Sequence, residues 1–263
     1  MTGRRCGIDI RARPQQTLRH RARAVAQSRL LAATGIRPAM CVNYKPTPKS
    51  IITALTGADT SATPDWPEET WQDYAAPVVR AGLQGEPELI VGTYGMMPRR
   101  KLQGGLQIST MNARAETIGE KRSYAGPWRA LQTCLLPMHW FYEPNYEAGR
   151  PQRWAIGMAD DQPFCVAGLW RAWEEPEGGY AFSFTQITIN ADAHPLMNRF
   201  HKPGEEKRNL VIIPPADYAD WLNVGDTENA RRMLVNYPAS AMKAWPAPKS
   251  EARSSSGQGS LLF

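Results

Sequence analysis

The sequence predicts a single α+β domain in which a few helices cover a curled, mostly antiparallel, barrel-like β-sheet. Three observations support this prediction. Seven short segments rich in β-branched and aromatic residues follow one another at close spacing. Helical periodicity is clearest near the C-terminal end. The chain has 263 residues and is 42% hydrophobic, which is enough apolar material to bury one substantial core.

The seven predicted strands account for most of the central part of the chain. Short segments of this composition, separated by turn residues, are typical of strands in an antiparallel sheet. They lie at 88–94, 106–112, 132–142, 153–158, 164–171, 180–190 and 209–213.

The predicted strand at 180–190 changes the phase of its apolar residues. Phe182 and Phe184 alternate on even positions, whereas Ile187 and Ile189 alternate on odd positions. Because successive side chains of a strand point to opposite faces, both pairs reach one face only if the strand is irregular. We therefore expect a bulge or a sheet-switching bend near Gln186.

Three helices are predicted to cover the sheet. One follows Asp226, a residue type that caps helix N-termini, and a shorter one opens at Pro215. Their apolar residues share one face, and they are Ala230, Met233, Leu234 and Tyr237 in the first and Tyr218, Trp221 and Leu222 in the second. A further helix is predicted over 66–79, between Pro67 and Pro77.

Residues 1–39 differ in composition from the rest of the chain. This leader holds nine arginines and one acid, Asp9, so its net charge is +8. The whole chain carries +6, which leaves 6 minus 8, or −2, for residues 40–263. The composition predicts a disordered leader. Three interpretations stay open: an upstream extension from a wrongly chosen start codon, a basic arm that holds nucleic acid, or an organelle transit sequence.

The remaining chain divides into a folded domain and a tail. We expect the domain at 40–248 and a flexible Ser/Gly-rich tail at 249–263. No segment approaches the roughly 20 consecutive apolar residues of a membrane helix, and the N-terminus lacks the apolar core of a secretory signal. The four cysteines are scattered, which favours thiols over disulfides. We expect a cytoplasmic, nucleoid-associated monomer that uses no cofactor.

Local clusters of polar residues indicate where chemistry could take place. NARAE puts Asn112, Arg114 and Glu116 on one face at the end of a predicted strand. Glu143 follows four bulky residues, where burial would make a carboxylate useful as an acid or a base. A later loop holds His194 and His201. Taken singly, each cluster is equally compatible with a surface ion pair, a strand end or a solvated loop.

A zinc site formed by Cys134, His139 and Cys165 is a further possibility. These residues lack a recognised ligand spacing and lie in apolar, strand-like segments. Buried structural cysteines explain them better, so we predict no metal site.

Four motifs occur in order along the chain: Met40-Cys41, NARAE, CLLPMHWFYE and a histidine-containing loop leading into NLVIIPPADYADWL. Together they span about residues 40–245, and they resemble the motifs of the SOS-response-associated peptidase family, also called abasic site processing proteins. In that family a cysteine follows the initiator Met and becomes the N-terminus when the Met is removed. The resemblance implies that Cys41 is the first residue of the working protein.

The resemblance also assigns roles to individual residues. It implies that Cys41 is the nucleophile, that Asn112 orients its amine and that Glu143 shuttles protons. His201, in the sequence FHKP, matches the histidine that assists opening of the sugar ring, and His194 is the reserve candidate.

The implied reaction is covalent capture of an abasic site in single-stranded DNA, within the response to DNA damage. An N-terminal cysteine combines a thiol with an α-amine whose pKa is about 7.7–8.0, so part of the amine is neutral and nucleophilic. The amine forms a Schiff base with the ring-opened deoxyribose, and the thiol then closes a thiazolidine. An internal Cys41 has no free amine, so the resemblance implies that the leader is either never translated or cut away, and that an autopeptidase activity removes the preceding residue or residues.

Three residues are expected to contact DNA. Arg114 matches a phosphate contact of the family, and Arg208 is a weaker match beyond an apparent insertion, KPGEEK. Tyr94 lies in a segment where the family has a Trp, and it is expected to stack on a base. Such contacts position a single strand without reading its sequence. The chain departs from the family at Val42-Asn43, where Gly-Arg is usual, which removes one basic contact.

The C-terminal tail suggests a protein partner. Gln258, Leu261 and Phe263 fit the Gln-x-x-Leu-x-Phe pattern of peptides that bind the bacterial replication sliding clamp, although an accidental apolar end is the alternative.

Two rival functions stay open. The first is a non-catalytic single-strand-binding module that uses Tyr94, Trp140 and Arg114. The second is a cysteine hydrolase in which Cys41 and His201 act on other proteins.

Overall fold

The computed structural model describes residues 43–102 and 108–249, and all of them belong to one compact unit. The predicted leader, Cys41 and the residues predicted to bind the sliding clamp, Gln258, Leu261 and Phe263, lie outside the described residues.

Among the described residues, eleven strands form one sheet. They are β1 (Tyr44–Pro46), β2 (Ala75–Ala81), β3 (Pro87–Tyr94), β4 (Asn112–Arg114), β5 (Thr133–Asn145), β6 (Gln152–Met158), β7 (Phe164–Glu174), β8 (Tyr180–Asn190), β9 (Arg208–Leu210), β10 (Ile212–Ile213) and β11 (Met242–Pro246). The α-helices are short: α1 (Lys49–Thr56), α2 (Ala125–Arg129), α3 (Tyr218–Leu222) and α4 (Thr227–Arg232).

Five of the strands close into a barrel. The ladder runs β7-β8-β3-β2-β5, and β5 pairs back with β7. Every pairing in this ring is antiparallel except that of β3 with β8, which is parallel. Beyond the ring, β6 pairs with the C-terminal half of β5, and β11 pairs with β6. The predicted fold class, an α+β domain with a curled, mostly antiparallel, barrel-like sheet, is confirmed.

Both faces of the barrel strands are buried. One face contributes to a strand cluster that includes Tyr44, Val78, Tyr94, Leu136, Phe141 and Phe184. The opposite face contributes to a helix cluster, in which Val79, Leu135 and Ile187 pack with Ile52 of α1, Trp128 of α2, Trp221 of α3 and Ala230 of α4. The core therefore has two parts separated by the wall of strands.

This two-sided core corrects the prediction for β8. Phe184 belongs to the strand cluster and Ile187 to the helix cluster, so the change of phase needs no irregular backbone. The pairing of β8 with β7 keeps one register from Tyr180 to Gln186, so the predicted bulge is wrong. The strand does change partners near Gln186, because Thr188–Asn190 pair with β9 instead.

The two C-terminal helices are confirmed, with one boundary changed. The Asp226 side chain accepts a hydrogen bond from the Asn229 N–H at 2.7 Å and caps α4, as predicted. The helix ends at Arg232, so Tyr237 is outside it and packs against the strand cluster. Tyr218, Trp221 and Leu222 are buried in α3, where the sequence places them.

Two other predicted elements are wrong. Instead of a helix over 66–79, the chain turns at Asp73, whose φ is +66°, and enters β2 at Ala75. Pro77 is tolerated because β2 pairs with β5 only at Val79 and Arg80, which leaves the start of β2 with one neighbour. The second is the strand predicted at 106–112. Residues 103–107 lie outside the described residues, and strand structure begins only at Asn112.

A bulge in β5 brings its C-terminal half to the correct face. Lys45 of β1 pairs with Trp140 and the next residue, Pro46, pairs with Met138, so His139 is the extra residue. Before the bulge, Met138 faces the strand cluster; after it, the odd-numbered Phe141 does so. Bulges commonly re-aim side chains beside functional sites. This one directs Glu143, two residues beyond Phe141, to the same face.

Candidate functional site

Glu143 is a buried carboxylate near the end of β5. It is 1% exposed and pairs across the ladder with Trp154 of β6. Of the bulky residues before it, Phe141 lies on the same face of β5 and is buried, whereas Trp140 and Tyr142 lie on the opposite face. A carboxylate in such a place is retained only where it has polar or charged neighbours.

His201 lies directly against Glu143. Its Nε2 is 3.2 Å from Glu143 Oε2, and the imidazole is 3% exposed. The His201 N–H donates to the Pro144 carbonyl oxygen at 3.0 Å, which ties the loop to the residue after Glu143. The backbone of His201 is left-handed, with φ at +63°. Such conformations cost energy in non-glycine residues and cluster at functional sites.

The charge of Glu143 decides the protonation of His201. Burial alone would lower the pKa of the imidazole, but the negative charge of Glu143 acts in the opposite direction. The net result is a pKa raised above the ordinary 6.5. The pair therefore holds a proton that can be given to a bound substrate near neutral pH.

His194 has a structural role. Its Nε2 lies 2.8 Å from the Tyr237 carbonyl oxygen, and its Nδ1 accepts from the Met197 N–H at 3.0 Å. Both ring nitrogens are thus engaged by the backbone, with the proton on Nε2. This arrangement makes His194 unsuitable for proton transfer, and the geometry favours His201 over the reserve candidate.

The first described residue, Asn43, is fixed beside β5. Its carbonyl oxygen accepts from the Tyr142 N–H at 3.1 Å, and its side-chain Nδ2 donates to Glu69 Oε2 at 3.2 Å. Glu69 Oε1 also binds Arg153 Nη2 at 2.9 Å and accepts from the Tyr142 hydroxyl at 3.2 Å. This network holds the segment two residues after Cys41 against the strand that bears Glu143.

Sequence reasoning missed Glu69, Tyr142 and Arg153. Their contacts join segments 73 and 84 residues apart. Local composition gives no signal for such pairs. The available clue was the polar Asn43 between Val42 and Tyr44, because a buried amide needs partners.

Asn112 begins β4. A path of contacts connects it with Tyr44, which is three residues after Cys41 in the sequence. Tyr44 packs edge-to-face on Tyr94 at 5.5 Å, and the Tyr94 hydroxyl donates to Gln186 Oε1 at 2.8 Å. Gln186 is the ladder partner of Asn112. The Tyr124 hydroxyl further fixes β4 by donating to the Asn112 carbonyl oxygen at 3.0 Å. Asn112 is partly exposed as a residue, whereas its side-chain oxygen is buried.

The role predicted for Tyr94 is wrong in this structure. Tyr94 is 0% exposed, stacked on Phe184 at 5.2 Å and hydrogen-bonded to Gln186. A base cannot reach the ring without unpacking the strand cluster. Its side chain stabilises the core between β3 and β8.

The two predicted phosphate contacts differ in exposure. Arg114 is exposed, with Nη1 2.6 Å from Glu206 Oε2. Arg208 is 2% exposed, and its guanidinium binds both Glu116 oxygens at 2.8–2.9 Å and Glu206 Oε1 at 2.7 Å. Arg208 is therefore a structural ion-pair residue rather than an open phosphate contact, which corrects the prediction. Arg114 stays available at the surface.

The cysteine prediction is confirmed for the two cysteines in the described chain. Cys134 and Cys165 are free, buried thiols. They face opposite sides of the barrel wall, Cys134 in the strand cluster and Cys165 in the helix cluster, so they cannot share a metal ion. Over residues 43–102 and 108–249, no group of three or more His, Cys, Asp or Glu could hold a metal, and no helix is long and apolar enough to cross a membrane.

Comparison with known proteins places this geometry in a known family. The family model described as SOS response associated peptidase (SRAP) matches residues 37–250. The chain is 29% identical to abasic site processing protein YoqW of Bacillus subtilis over 157 residues, which is 58% of this chain and 66% of YoqW. It is 31% identical to abasic site processing protein HMCES of Pongo abelii, over 51% of this chain and 44% of HMCES. The chain thus matches less than two thirds of the length of these curated relatives.

The fold has a counterpart among solved structures. A crystal structure of a protein from Bordetella bronchiseptica matches with a TM-score of 0.71 and 32% identity, and the match covers 79% of this chain and 99% of that one. The family model covers more than half of the chain, and this match shows the family. The chain belongs to the SOS response associated peptidase (SRAP) family.

Proposed function

We propose that this protein processes abasic sites in single-stranded DNA and captures them covalently through Cys41, once that residue is the N-terminus. The observation that supports this most strongly is the buried Glu143–His201 pair, which can hold and transfer a proton beside the segment leading to Cys41. The names of YoqW and HMCES, abasic site processing proteins, supply the substrate class.

Chain connectivity supports the role of Cys41. Consecutive Cα atoms are about 3.8 Å apart, so the Cα of Cys41 lies no further than about 7.6 Å from that of Asn43. Asn43 is hydrogen-bonded to Tyr142, the residue before Glu143. A nucleophile at position 41 is therefore tethered close to the buried carboxylate.

The capture reaction balances without a redox partner. His201 in its protonated form donates to the ring oxygen of the deoxyribose, and the C1′ hydroxyl loses a proton as the aldehyde forms. The neutral amine of Cys41 adds to C1′, and loss of one water gives the imine. The thiol sulfur then adds to the imine carbon, its proton moves to nitrogen, and a thiazolidine results. One water is released overall.

Three side chains assist these steps in the proposal. Glu143 takes the proton that the C1′ hydroxyl loses and returns one to the departing water, because general acid–base transfer requires a group within hydrogen-bond reach. His201 supplies the proton for ring opening. Asn112 orients the amine of Cys41 through its side-chain amide.

The peptidase part of the proposal prepares the nucleophile. Hydrolysis of the peptide bond before Cys41 consumes one water and frees the α-amine, and Glu143 serves as the proton shuttle there too. While any residue precedes Cys41 its nitrogen is an amide, which cannot form a Schiff base. Removal of the arginine-rich leader, by this activity or otherwise, is therefore a condition for capture.

The test uses an abasic single-stranded oligonucleotide and a denaturing gel. Wild-type protein should give a heat-stable adduct, and Cys41→Ala should give none. Cys41→Ser keeps the amine but lacks the thiol, so it should form an imine that borohydride traps, without the stable adduct. An undiminished heat-stable adduct in Cys41→Ala would refute the proposal. Reversible binding without any adduct would favour the single-strand-binding alternative.

A further inference from the structure

Two tryptophans meet on the face of the sheet opposite Glu143. Trp140 of β5 and Trp245 of β11 have ring centroids 5.8 Å apart at an interplanar angle of 75°. Gly157 of β6 lies beneath them; a Cβ there would be 3.3 Å from the Trp245 ring and 3.6 Å from the Trp140 Cβ. The small residue lets the two rings approach. Both rings are partly exposed to solvent.

Cations alternate with the aromatic rings on this face. Lys45 Nζ lies 4.6 Å from the Trp140 ring centre, and Lys243 Nζ lies 5.9 Å from that of Trp245. The Arg153 guanidinium lies 3.3 Å from the ring centre of Tyr142. The ladder pairs of Lys45 with Trp140, Lys243 with Gly157 and Tyr142 with Ala155 put these side chains on one face. We call this set the tryptophan face.

The tryptophan face adjoins the segment that leads to the proposed nucleophile. Tyr142 and Arg153 both bind Glu69, which also binds the Asn43 side chain. Asn43 is two residues after Cys41. A strand whose lesion lies at Cys41 would therefore pass close to this face.

The charge of the face suits a polyanion. Lys45, Lys243 and Arg153 lie within it, whereas its carboxylates, Glu69 and Asp161, are paired with Arg153 and Lys243. Aromatic rings interleaved with cations are the usual platform for single-stranded nucleic acid, because every base has a face that can stack. Tyr94, the ring expected to stack on a base, is buried. The tryptophan face supplies exposed rings in its place.

We propose that the tryptophan face binds two nucleotides flanking the abasic site, one stacked on Trp140 and one on Trp245. Lys45 and Lys243 are held over these rings by cation–π contacts, which are weak at exposed sites. The Lys45 ammonium can therefore move from ring to phosphate when a base stacks, and the Lys243 ammonium can do so by also leaving Asp161. This inference rests on the proposed function for its ligand class, single-stranded DNA.

The test measures binding of intact oligothymidylate, which has no abasic site, to the full chain. Quenching of tryptophan fluorescence reports stacking. The leader holds no tryptophan, so it does not contribute to this signal. Trp140→Ala and Trp245→Ala should each weaken binding between about fivefold and a hundredfold and reduce the quenching. Trp245→Phe should restore much of the affinity. Lys243→Gln should lower the slope of log affinity against log salt by about 0.7.

A matched control separates stacking from general loss of an aromatic side chain. Tyr180 is 64% exposed at the start of β8, outside the tryptophan face, so Tyr180→Ala should bind as the wild type does. Melting temperatures of the variants show whether each is folded.

Two results would overturn the inference. One is unchanged affinity and quenching in folded Trp140→Ala and Trp245→Ala protein. The other is a wild-type dimer that Trp245→Ala converts to monomers, which would make the face a contact between copies. Absence of any covalent adduct in wild-type protein would instead refute the proposed function, while weaker oligothymidylate binding by the tryptophan variants would still support the inference.

Discussion

Replacing Glu143 by Gln removes the charge that faces His201 and keeps the size of the side chain. At 3.2 Å and an effective dielectric constant of about 20, the gross attraction is about 5 kcal/mol, before the cost of burying both charges. Burial is the largest single influence on the pKa of His201 and lowers it, but the charge and the hydrogen bond of Glu143 together raise it, so Glu143→Gln should lower that pKa. Loss of the proton shuttle should also slow adduct formation by roughly 10²- to 10⁴-fold.

The pH dependence gives this prediction a second readout. Because folding raises the pKa of His201, the ion pair stabilises the protein fully below the unfolded pKa of about 6.5. That contribution is lost as the pH rises through the folded pKa. The stability of Glu143→Gln should therefore lack this dependence, and its single-turnover rate should begin to fall at a lower pH than that of the wild type.

Glu147→Gln is the matched control for Glu143→Gln. Glu147 pairs at 2.8 Å with Arg199, which is two residues before His201, and Glu147 is exposed to solvent. Glu147→Gln should leave the rate of adduct formation and its pH profile unchanged. Adduct formation followed on denaturing gels from pH 5 to 9, with an NMR titration of His201, measures both effects. Equal rates and an equal His201 pKa in Glu143→Gln and wild-type protein would refute the assigned roles.

Three further predictions concern single contacts, one beside the site and two that stabilise the fold. Glu69→Ala removes the anchor of Asn43, so adduct formation at saturating abasic oligonucleotide should slow; an unchanged rate would contradict the anchoring role. Tyr94→Phe leaves the Gln186 oxygen without the Tyr94 hydroxyl, and urea unfolding should show a loss of about 1–3 kcal/mol, against none if the bond is unimportant. Asp226→Ala removes the cap of α4 and should cost about 1 kcal/mol in the same assay, whereas equal stability would exclude capping.

The sequence was most informative where local pattern and burial agree. The predicted strand 180–190 is β8 with the same bounds, and the Asp226 cap is confirmed in detail. The sequence also singled out Glu143 and His201, which the fold brings together from positions 58 residues apart in number. The bulky residues before Glu143 indicated burial there, whereas the choice of His201 came from the family resemblance.

The two wrong predictions of DNA contacts share one cause: the residues that bury these side chains are distant from them in the sequence. Tyrosine is a residue type that can stack on a base. The ring of Tyr94, however, is buried by contacts with Phe184 and Gln186, about 90 residues later in the sequence. Arginine is a residue type that often contacts phosphate. In Arg208, however, the guanidinium is bound by Glu116, two residues beyond the end of β4. No periodicity within a segment reports such contacts, so exposed and buried versions of these residues look alike in the sequence.

The central claim is that one residue supplies both the amine and the thiol, and mass spectrometry of the adduct tests it directly. Protein captured on an abasic oligonucleotide is digested, and the modified peptide is sequenced. The account predicts a peptide that begins at Cys41, joined to the sugar with the loss of one water. A modified lysine, or a modified Cys41 still preceded by other residues, would contradict it.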